Sequence, residues 1–488
     1  MKAIIIGSGV AGLATAVRLA AAGNEVTVLE SAATYGGKMG LLEQDGFRFD
    51  TGPSLFTMPY LVDDLLKLAP QMDAAWGYEK LDVACHYFYE DGVRIQAHAT
   101  PEKFAAEVTQ KLGVSEQVVL DYLNHCRQLF EWTSKTFLEK SLHELSTYLS
   151  RDALQAVQHV FQLGLFQSMH ESNQERLKHP KLVQLFNRFA TYNGSSPYKA
   201  PGVLNNIAHL EHNQGAFFPK GGMRNIADQI YRAAVRLGVT FQFDTRVTEI
   251  VVADNRAVGV KTGQEQLNAD VVVSNMDIVP TYNHLLKSHR IPNRIKAQEP
   301  SSSALIFYWG IKGNFDELGV HNILFSDDYQ SEFEHIFDRQ ELNSDPTVYI
   351  NITSKKAPSD APAGCENWFV MINVPALPDA DWQALAQTAK KRILAKLQRV
   401  LKVDIAPLIM TENVLDPSGI ATQTSSHLGA LYGPSSNNRL AAFLRHPNFS
   451  PQIKHLYFCG GSVHPGGGVP LCLLSAKIVA DRIQRNEK

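Results

Sequence analysis

The stretch AIIIGSGVAGLATAVRLAAAGNEVTVLE, residues 3–30, decides the fold of this chain. Its first four residues form a short apolar run that predicts a buried strand. A helical pattern follows through Leu13, Val17 and Leu19 and ends before residues 26–29, which predict a second strand. Strand, helix and strand in this order are typical of the parallel sheet of an α/β fold.

Three glycines lie in the turn between the first strand and the helix. Gly7 makes the tight turn, Gly9 lets the backbone approach a pyrophosphate, and Gly12 lets helix and strand pack closely. The diphosphate is expected at the helix N-terminus, and Glu30 is placed to accept hydrogen bonds from ribose hydroxyls. An empty Rossmann-like turn is the alternative, but the complete spacing favours a dinucleotide site. The predicted phosphate-binding loop consists of Gly7, Ser8, Gly9, Val10, Ala11 and Gly12.

Length and composition limit the remaining possibilities. The 488 residues allow two or three domains, and the net charge of −3 argues against a nucleic-acid partner because no basic excess is present. Five cysteines without a CxxC pair indicate reduced thiols in a cytoplasmic protein and no metal site. No apolar run reaches the length of about 18 residues that a transmembrane helix needs. A signal peptide is rejected, because its cleavage would remove half of the dinucleotide site.

Gly36, Gly37 and Lys38 follow Glu30 at short range. This glycine pair resembles the extended motif of the flavoprotein superfamily that includes amine oxidases and carotenoid desaturases, and ordinary nicotinamide dehydrogenases lack it. No second strand–glycine turn–helix unit follows, so the sequence indicates no separate nicotinamide site. The resemblance therefore implies that the dinucleotide is FAD.

The segment GFRFDTGPSLFTMP, residues 46–59, predicts a strand that leads into a turn. In the flavoproteins that the glycine pair resembles, this segment returns to the isoalloxazine ring. The resemblance thus implies cofactor contacts from Gly52, Pro53 and Ser54. A plain turn with buried aromatic residues is the alternative.

The second informative stretch is HLYFCGGSVHPGGGVPLCLLSAKIVADRI, residues 455–483. A strand meets a glycine-rich loop, and Pro470 after Val469 fixes the start of a helix. The N-terminus of that helix, pointed at a flavin, would stabilise negative charge on the reduced ring. A purely structural glycine-rich loop is the alternative.

Residues 86–97 alternate around a turn and predict a β-hairpin that begins a second sheet, and residues 101–190 are mostly helical by period. Within the helical part, Leu154, Val157, Phe161 and Leu165 recur at helical spacing. Core packing is the plainer interpretation of this stripe. The alternative is an interfacial patch that admits a lipid from a bilayer. Further strands are predicted at 239–243, 247–252, 256–261, 269–274, 303–311, 347–353 and 368–374, and further helices at 223–235 and 382–400.

Over essentially its full length the chain resembles the bacterial phytoene-desaturase type of carotenoid desaturase. The glycine loop with Glu30, the glycine pair, and the segments FDTGPS (49–54), FPKGG (218–222) and GGSVHPGGGVP (460–470) carry the resemblance. Within the family, the C-terminal motif is most similar to the branch that desaturates 1-hydroxylated carotenoids at the 3,4 position.

The resemblance implies an FAD-dependent oxidoreductase acting on CH–CH groups, with hydride transfer from the substrate to the flavin. It places Val247 near the adenine, and Gly460 and Gly461 near the ribityl chain. Many flavoproteins have an Asp where Gly461 stands, so we assign no ribitol-binding carboxylate. Implied partners are a carotenoid substrate, the membrane surface on the cytoplasmic side of the cell membrane, and quinone or oxygen as electron acceptor.

The expected fold class is α/β. It combines a Rossmann-like FAD-binding domain built from discontinuous segments, a mixed-sheet substrate domain, and a helical subdomain for which membrane association is considered. The expected boundaries are 1–84, 215–288 and 415–488 for the FAD-binding domain, 85–100 and 289–414 for the substrate domain, and 101–214 for the helical subdomain.

No Ser/His/Asp or paired-carboxylate signature is visible, so we expect positioning against the flavin to contribute more than a strong base. His464, close to the flavin loop, is either a catalytic group or a loop-shaping histidine. Arg188 and Tyr192 either face the substrate cavity or make structural hydrogen bonds.

Four other functions stay open at this point. They are a phytoene desaturase, a carotenoid cis–trans isomerase, an amine oxidase, and a non-enzymatic isoprenoid carrier like the GDP-dissociation inhibitors. The intact glycine triplet with Glu30 argues against a carrier.

Overall fold

The computed structural model describes residues 1–71, 73–438 and 444–487, and for residues 151 and 154–156 it describes the backbone alone. The strands are β1 (Lys2–Ile6), β2 (Glu25–Leu29), β3 (Leu41–Gln44), β4 (Phe47–Asp50), β5 (Tyr78–Lys80), β6 (Val83–Phe88), β7 (Arg94–His98), β8 (Phe217–Pro219), β9 (Thr240–Gln242), β10 (Glu249–Ala253), β11 (Arg256–Thr262), β12 (Glu265–Asn268), β13 (Val271–Ser274), β14 (Ser303–Lys312), β15 (His321–Leu324), β16 (Val348–Ile352), β17 (Cys365–Val374), β18 (Ile409–Leu415) and β19 (Leu456–Phe458). The helices are α1 (Val10–Ala21), α2 (Tyr60–Leu66), α3 (Pro101–Leu112), α4 (Glu116–Phe137), α5 (Leu145–Tyr148), α6 (Arg151–Gln158), α7 (Met169–Leu177), α8 (Pro180–Asn187), α9 (Asn206–His209), α10 (Arg224–Arg236), α11 (Ile278–Pro280), α12 (Asn293–Lys296), α13 (Tyr329–Glu334), α14 (Trp382–Leu401), α15 (Pro417–Thr424) and α16 (Val469–Asn486).

A five-stranded parallel sheet carries the glycine loop. Its order is β19-β13-β1-β2-β9, and every neighbouring pair runs parallel. The predicted strand–helix–strand unit is confirmed as β1, α1 and β2, and α1 packs against both α10 and α16. The strand order reverses between β1 and β13, and in folds of this kind the crevice beyond the carboxyl ends of such strands binds the ligand.

The second sheet is mixed and has seven strands in the order β18-β14-β17-β16-β15-β6-β7. Only the pair β15 and β6 is parallel, and the predicted hairpin is confirmed as β6 and β7. Because side chains alternate along a strand, Trp309 and its like-facing neighbours on β14 pack with α14, whereas Ile306 on the other face lines the internal cavity. One face of this sheet is therefore core and the other is a cavity wall.

Among the helices α3 to α9, α4 and α9 line the cavity, through residues such as Phe130 and Ile207. The interpretation of the helical stripe as core packing is wrong for its middle, because Val157 is 65% exposed and Phe161 is 90% exposed. Helix α6 ends at Gln158, and Phe161 lies in a separate short 3-10 turn, Val160–Gln162, so the α-helical periodicity does not continue. Leu165 is partly buried, and the side chain of Leu154 lies outside the described residues.

Most predicted element boundaries agree with the structure within two residues. The predicted strand over 368–374 is an exception, since β17 begins three residues earlier, at Cys365. The strand predicted over 247–252 is β10, which begins at Glu249, so Val247 lies in the preceding loop. Among the described residues, no helix is long and apolar enough to cross a bilayer.

Candidate functional site

The N-terminus of α1 opens into a cavity of about 630 Å³. Gly9 is the N-cap residue, with φ −63° and ψ 169°, and it has no side chain that could cap the helix. Gly7, Gly9, Val10 and Ala11 all line the cavity. The first-turn N–H groups and the helix dipole therefore face a space in which a diphosphate fits.

Two glycines are required here for close packing. A Cβ atom at Gly12 would overlap the carbonyl oxygen of Gly7, which is backbone and cannot rotate away. Gly37 has φ +56°, and a Cβ atom there would lie 3.2 Å from the Cα atom of Gly9. The glycine pair and the glycine loop thus touch each other, with Gly36 and Gly9 forming a β-bridge.

Glu30 is held by backbone and side-chain donors at the end of β2. Its carboxylate accepts hydrogen bonds from the Ser8 N–H at 2.7 Å, from the Ser8 hydroxyl at 2.8 Å and from the Ala32 N–H at 2.9 Å. The Ser31 hydroxyl donates a fourth hydrogen bond to it at 3.3 Å. Glu30 also lines the cavity, where a ribose hydroxyl would take the place of one of the two serine hydroxyls.

Val247 lines the same end of the cavity together with Thr245 and Arg246. The Thr245 N–H donates to the Glu30 carbonyl at 2.8 Å, which fixes this loop beside the end of β2. Thr245 and Arg246 were not predicted, because loop residues between two short strands carry no local signal of their position.

Asn275 is the main cofactor-site residue that sequence reasoning missed. It follows β13, lines the cavity, and lies against the positions of Gly7, Gly9 and Gly12. With its amide oriented to satisfy its neighbours, its oxygen accepts from the Gly9 N–H at 3.2 Å and the Gly12 N–H at 3.3 Å. A polar residue directly after the strand paired with β1 was the available signal.

The C-terminal glycine-rich loop and the start of α16 form the adjoining part of the wall, beside Asn275. Gly460, Gly461, Val469 and Pro470 line the cavity, and Gly468, the N-cap of α16, provides no side-chain cap. The N-terminus of α16 is thus a second helix end that faces the cavity.

Arg445 supports the loop from behind. Its guanidinium donates at 2.9–3.0 Å to the carbonyls of Tyr432, Pro434 and Gly461, and burial lowers its pKa to about 10.

Lys38 lies deep in the molecule yet faces the cavity. Its Nζ donates to the Leu431 carbonyl at 2.7 Å, and burial lowers the pKa of its ammonium group. Asp277 lies near it and also lines the cavity, and burial raises the pKa of that carboxyl. The two groups partly offset each other's charge in a region with little water.

The loop with Gly52, Pro53 and Ser54 lines the cavity next to the glycine pair. A Cβ atom at Gly52 would overlap the carbonyl oxygen of Lys38, so the two segments are in backbone contact. The Ser54 hydroxyl lies 2.7 Å from the Tyr349 hydroxyl on β16, so it joins the cofactor segment to the second sheet.

His464 is buried, with its Nε2 atom 2.8 Å from the Lys140 carbonyl. Burial lowers its pKa to about 4, so the ring is neutral near pH 7 and its Nε2–H donates to that carbonyl. This hydrogen bond joins the glycine-rich loop to the helical part of the chain, as expected for a histidine that shapes the loop.

Arg188 lies in a buried ion pair at the cavity wall. Its guanidinium donates to both carboxylate oxygens of Glu211, at 2.9 and 3.1 Å, and to the hydroxyls of Tyr87 and Tyr192, at 2.6 and 2.9 Å. The Tyr192 hydroxyl also donates to Glu211. The charge of Arg188 is therefore neutralised locally, while Arg188, Tyr192 and Glu211 all line the cavity.

The residues present fit FAD. Two helix N-termini, an oriented carboxylate and two touching glycine segments line one end of a cavity that continues between the second sheet and the helices. The part beyond the cofactor residues is lined largely by apolar side chains, among them Phe130, Leu142, Ile306, Phe369 and Met371. An elongated apolar molecule can lie there against the cofactor.

Comparison with known proteins identifies relatives of the whole chain. The sequence pattern of the flavin-containing amine oxidoreductases matches residues 10–484. The chain is 50% identical to a 1-hydroxycarotenoid 3,4-desaturase of Flavobacterium sp., over 99% of both chains. It is 33% identical to a 4,4'-diapolycopene oxygenase of Methylomonas sp. and 31% identical to a 4,4'-diaponeurosporene oxygenase of Staphylococcus aureus, each over 99% of this chain and 98% of the relative.

Solved structures share the fold. An oxidoreductase from Methanosarcina mazei superposes with a TM-score of 0.64 at 16% identity, covering 99% of this chain and all of the other. Cyclohexylamine oxidase from Brevibacterium oxydans gives 0.63 at 15% identity, covering 100% and 99%. At these identities the likeness concerns the fold alone.

Proposed function

Because this chain belongs to the flavin-containing amine oxidoreductase family, we propose that it is an FAD-dependent carotenoid desaturase that introduces the 3,4 double bond of an acyclic 1-hydroxycarotenoid. The observation that carries this proposal is the 50% identity over 99% of both chains to a 1-hydroxycarotenoid 3,4-desaturase. A single cavity that joins the dinucleotide end to an apolar extension supports it.

When bound, FAD supplies the acceptor for the hydride that leaves the substrate. The chain itself positions the polyene and excludes water, since the cavity wall opposite the cofactor residues consists of buried strands and helices. A conjugated chain delocalises developing positive charge, so the reaction does not require a strong base. We propose quinone or oxygen as the acceptor that reoxidises the flavin.

Pigment analysis tests the proposal. The gene is expressed beside lycopene-producing enzymes, with and without a carotenoid 1,2-hydratase, and Gly9→Val serves as the control that cannot retain flavin. The expected product depends on the hydratase, is two mass units lighter than the hydroxylated precursor and absorbs further to the red.

Other products would overturn parts of the proposal. Conversion of phytoene alone to coloured polyenes would identify a phytoene desaturase, and a product of unchanged mass would identify an isomerase. The absence of any change on all substrates would favour a carrier. Assays without oxygen, with and without an added quinone, identify the acceptor.

We further propose that the protein works on the surface of the cell membrane, on its cytoplasmic side. An exposed apolar patch supports this: Leu145, Leu149 and Phe161 are 85%, 87% and 90% exposed, and Phe166 is 70% exposed. The patch continues into the cavity wall, because Leu142 lines the cavity and Leu163 packs with the cavity-lining residue Val203. A bilayer is the occupant that fits, since an apolar substrate dissolves there.

Flotation with vesicles of phosphatidylethanolamine and phosphatidylglycerol tests this proposal. The wild type is expected to float with the vesicles and the variant Leu149→Glu/Phe161→Glu to stay behind, while Met410→Glu, an exposed position on β18, serves as control. Equal flotation of the wild type and the double variant would contradict the proposal.

A further inference from the structure

We propose that His321, oriented by Tyr349, recognises the hydroxyl group at the end of the substrate and thereby sets the specificity for hydroxylated carotenoids. This inference rests on the proposed function and assigns the residues that distinguish a hydroxylated end from a hydrocarbon end. His321 begins β15, and its neighbour on the adjacent strand is Asn351 on β16.

The first observation is an unpartnered, buried polar atom in a residue of the cavity wall. His321 is 3% exposed and belongs to the cavity wall, and its Nε2 atom has no hydrogen-bond partner among the described residues. A buried polar group without a partner costs free energy, so such groups are rare and point to an unassigned ligand.

The other ring nitrogen is fixed by two polar groups. Nδ1 of His321 lies 2.8 Å from the Tyr349 hydroxyl and 3.2 Å from Nδ2 of Asn351. The Asn351 amide also donates to the Val320 carbonyl at 2.9 Å, which fixes its orientation with the NH₂ group towards His321. Because an amide NH₂ only donates, Nδ1 accepts and the ring hydrogen is on Nε2. His321 therefore holds an unpaired hydrogen-bond donor within the cavity wall.

The charge of the surroundings selects a neutral ligand. Glu211, near His321, is neutralised by Arg188, and both are hydrogen-bonded to tyrosine hydroxyls. A substrate amine would find no free carboxylate there, and a substrate carboxylate would find no free guanidinium. An alcohol needs neither charge and can accept a hydrogen bond from Nε2–H.

His321 lies close enough to the cofactor segment to fit desaturation at C3 and C4. Tyr349 bridges His321 and Ser54 through hydrogen bonds of 2.8 and 2.7 Å, and the loop of Ser54 is in backbone contact with Lys38 of the glycine-pair segment. In a 1-hydroxylated end group, the oxygen is three bonds from C3 and four bonds from C4. A hydroxyl held at His321 would consequently keep the carbons to be desaturated close to the cofactor segment.

Specificity follows from the cost of an unpaired donor. A pocket built to bind a hydroxyl group discriminates strongly against the analogue that lacks it, because the donor then stays buried without a partner. An unmodified hydrocarbon end would leave Nε2 of His321 buried without a hydrogen-bond partner.

A competition experiment with the FAD-loaded enzyme tests the inference. The enzyme receives a mixture of a 1-hydroxylated acyclic carotenoid and its unhydroxylated analogue, and the ratio of the two kcat/KM values is measured. The variants are His321→Leu and Tyr349→Phe. The control is Tyr89→Phe, which removes a buried hydroxyl that donates to the Lys181 carbonyl outside the cavity. Flavin content and thermal stability are measured for each protein.

We expect the wild type to prefer the hydroxylated compound strongly and His321→Leu to reduce that ratio by about tenfold or more. Tyr349→Phe should reduce it less, since His321 keeps its donor but loses an orienting partner, and Tyr89→Phe should leave it unchanged. A ratio in His321→Leu equal to that of the wild type would overturn the inference, although the proposed function would stand.

If a variant does not fold, carotenoid binding to the wild type still tests the inference. The Kd values of the same two carotenoids are compared, and equal values would overturn the inference. If the wild type converts neither compound, the proposed function fails first and separately.

Discussion

Gly9→Ala and Gly12→Ala add the same methyl group at two positions of one loop, and we expect them to fail in different ways. At Gly9 the backbone, with φ −63° and ψ 169°, suits alanine, and the nearest atom to the new carbon belongs to the side-chain amide of Asn275, at 2.8 Å. That side chain can rotate. At Gly12 the new carbon overlaps the Gly7 carbonyl oxygen, and β1 is fixed by hydrogen bonds to both neighbours.

The magnitudes differ accordingly. Gly12→Ala should lower the free energy of unfolding of the protein without cofactor by about 3 kcal/mol, the upper range for overpacking a site that cannot relax. Gly9→Ala should lower it by less than about 1 kcal/mol, yet weaken FAD binding, because its methyl group lies where the diphosphate approaches the helix.

Denaturant unfolding of the cofactor-free proteins measures the first quantity, and the flavin-to-protein absorbance ratio after dialysis measures the second. The reasoning would be refuted if Gly12→Ala were as stable as the wild type, or if Gly9→Ala lost as much stability as Gly12→Ala.

Three further changes test other parts of the structure. Asn275→Asp should weaken FAD binding by about tenfold or more, because the new negative charge beside the diphosphate repels it. The helix dipole favours that charge, so the cofactor-free protein should be at least as stable as the wild type. Flavin-release fluorescence measures the affinity and thermal unfolding the stability, and an unchanged affinity would place the diphosphate elsewhere. Arg188→Met should lower the free energy of unfolding by about 3 to 5 kcal/mol, because Glu211 is left as an uncompensated buried charge. The double variant Arg188→Met/Glu211→Leu should recover most of that loss in urea unfolding, and no recovery would contradict this account. Burial raises the pKa of Glu332 to about 7 from its ordinary value of 4.5, so the folded state binds this proton more tightly than the unfolded state. The free energy of unfolding should therefore fall by about 3 kcal/mol as the pH rises from 4.5 through 7. Glu332→Gln should flatten this pH dependence, whereas Glu341→Gln at the surface should not, and equal slopes in all three proteins would contradict the assignment.

Much of the dinucleotide end could be predicted because its signals are local. The turn at Gly7, the helix N-terminus at Gly9 and the acid at Glu30 lie within one strand–helix–strand unit, and physical constraints on neighbouring residues fix their types. The C-terminal loop was likewise visible, since Pro470 marks the start of α16.

The remaining site residues depend on distant parts of the chain. Asn275 acquires its role only because β13 pairs with β1, and His321 and Tyr349 look locally like ordinary residues of alternating strands. The helical period predicted that Val157 and Phe161 lie on one apolar stripe, but it does not determine whether another element packs against that stripe. Periodicity reports which side chains share a face, whereas burial depends on the elements that pack against that face.

The order of strands in the parallel sheet has a consequence for synthesis in the cell. Strand β13 pairs with β1 on one side and with β19 on the other, and the ribosome synthesises β19 and α16 about 180 residues after β13. The wall formed by Gly460, Gly461 and Val469 therefore does not exist until these segments have been synthesised. Pairings between such distant segments also slow folding. We expect cofactor loading to follow the synthesis of β19 and α16, and nascent chains to depend on chaperones until these segments have paired.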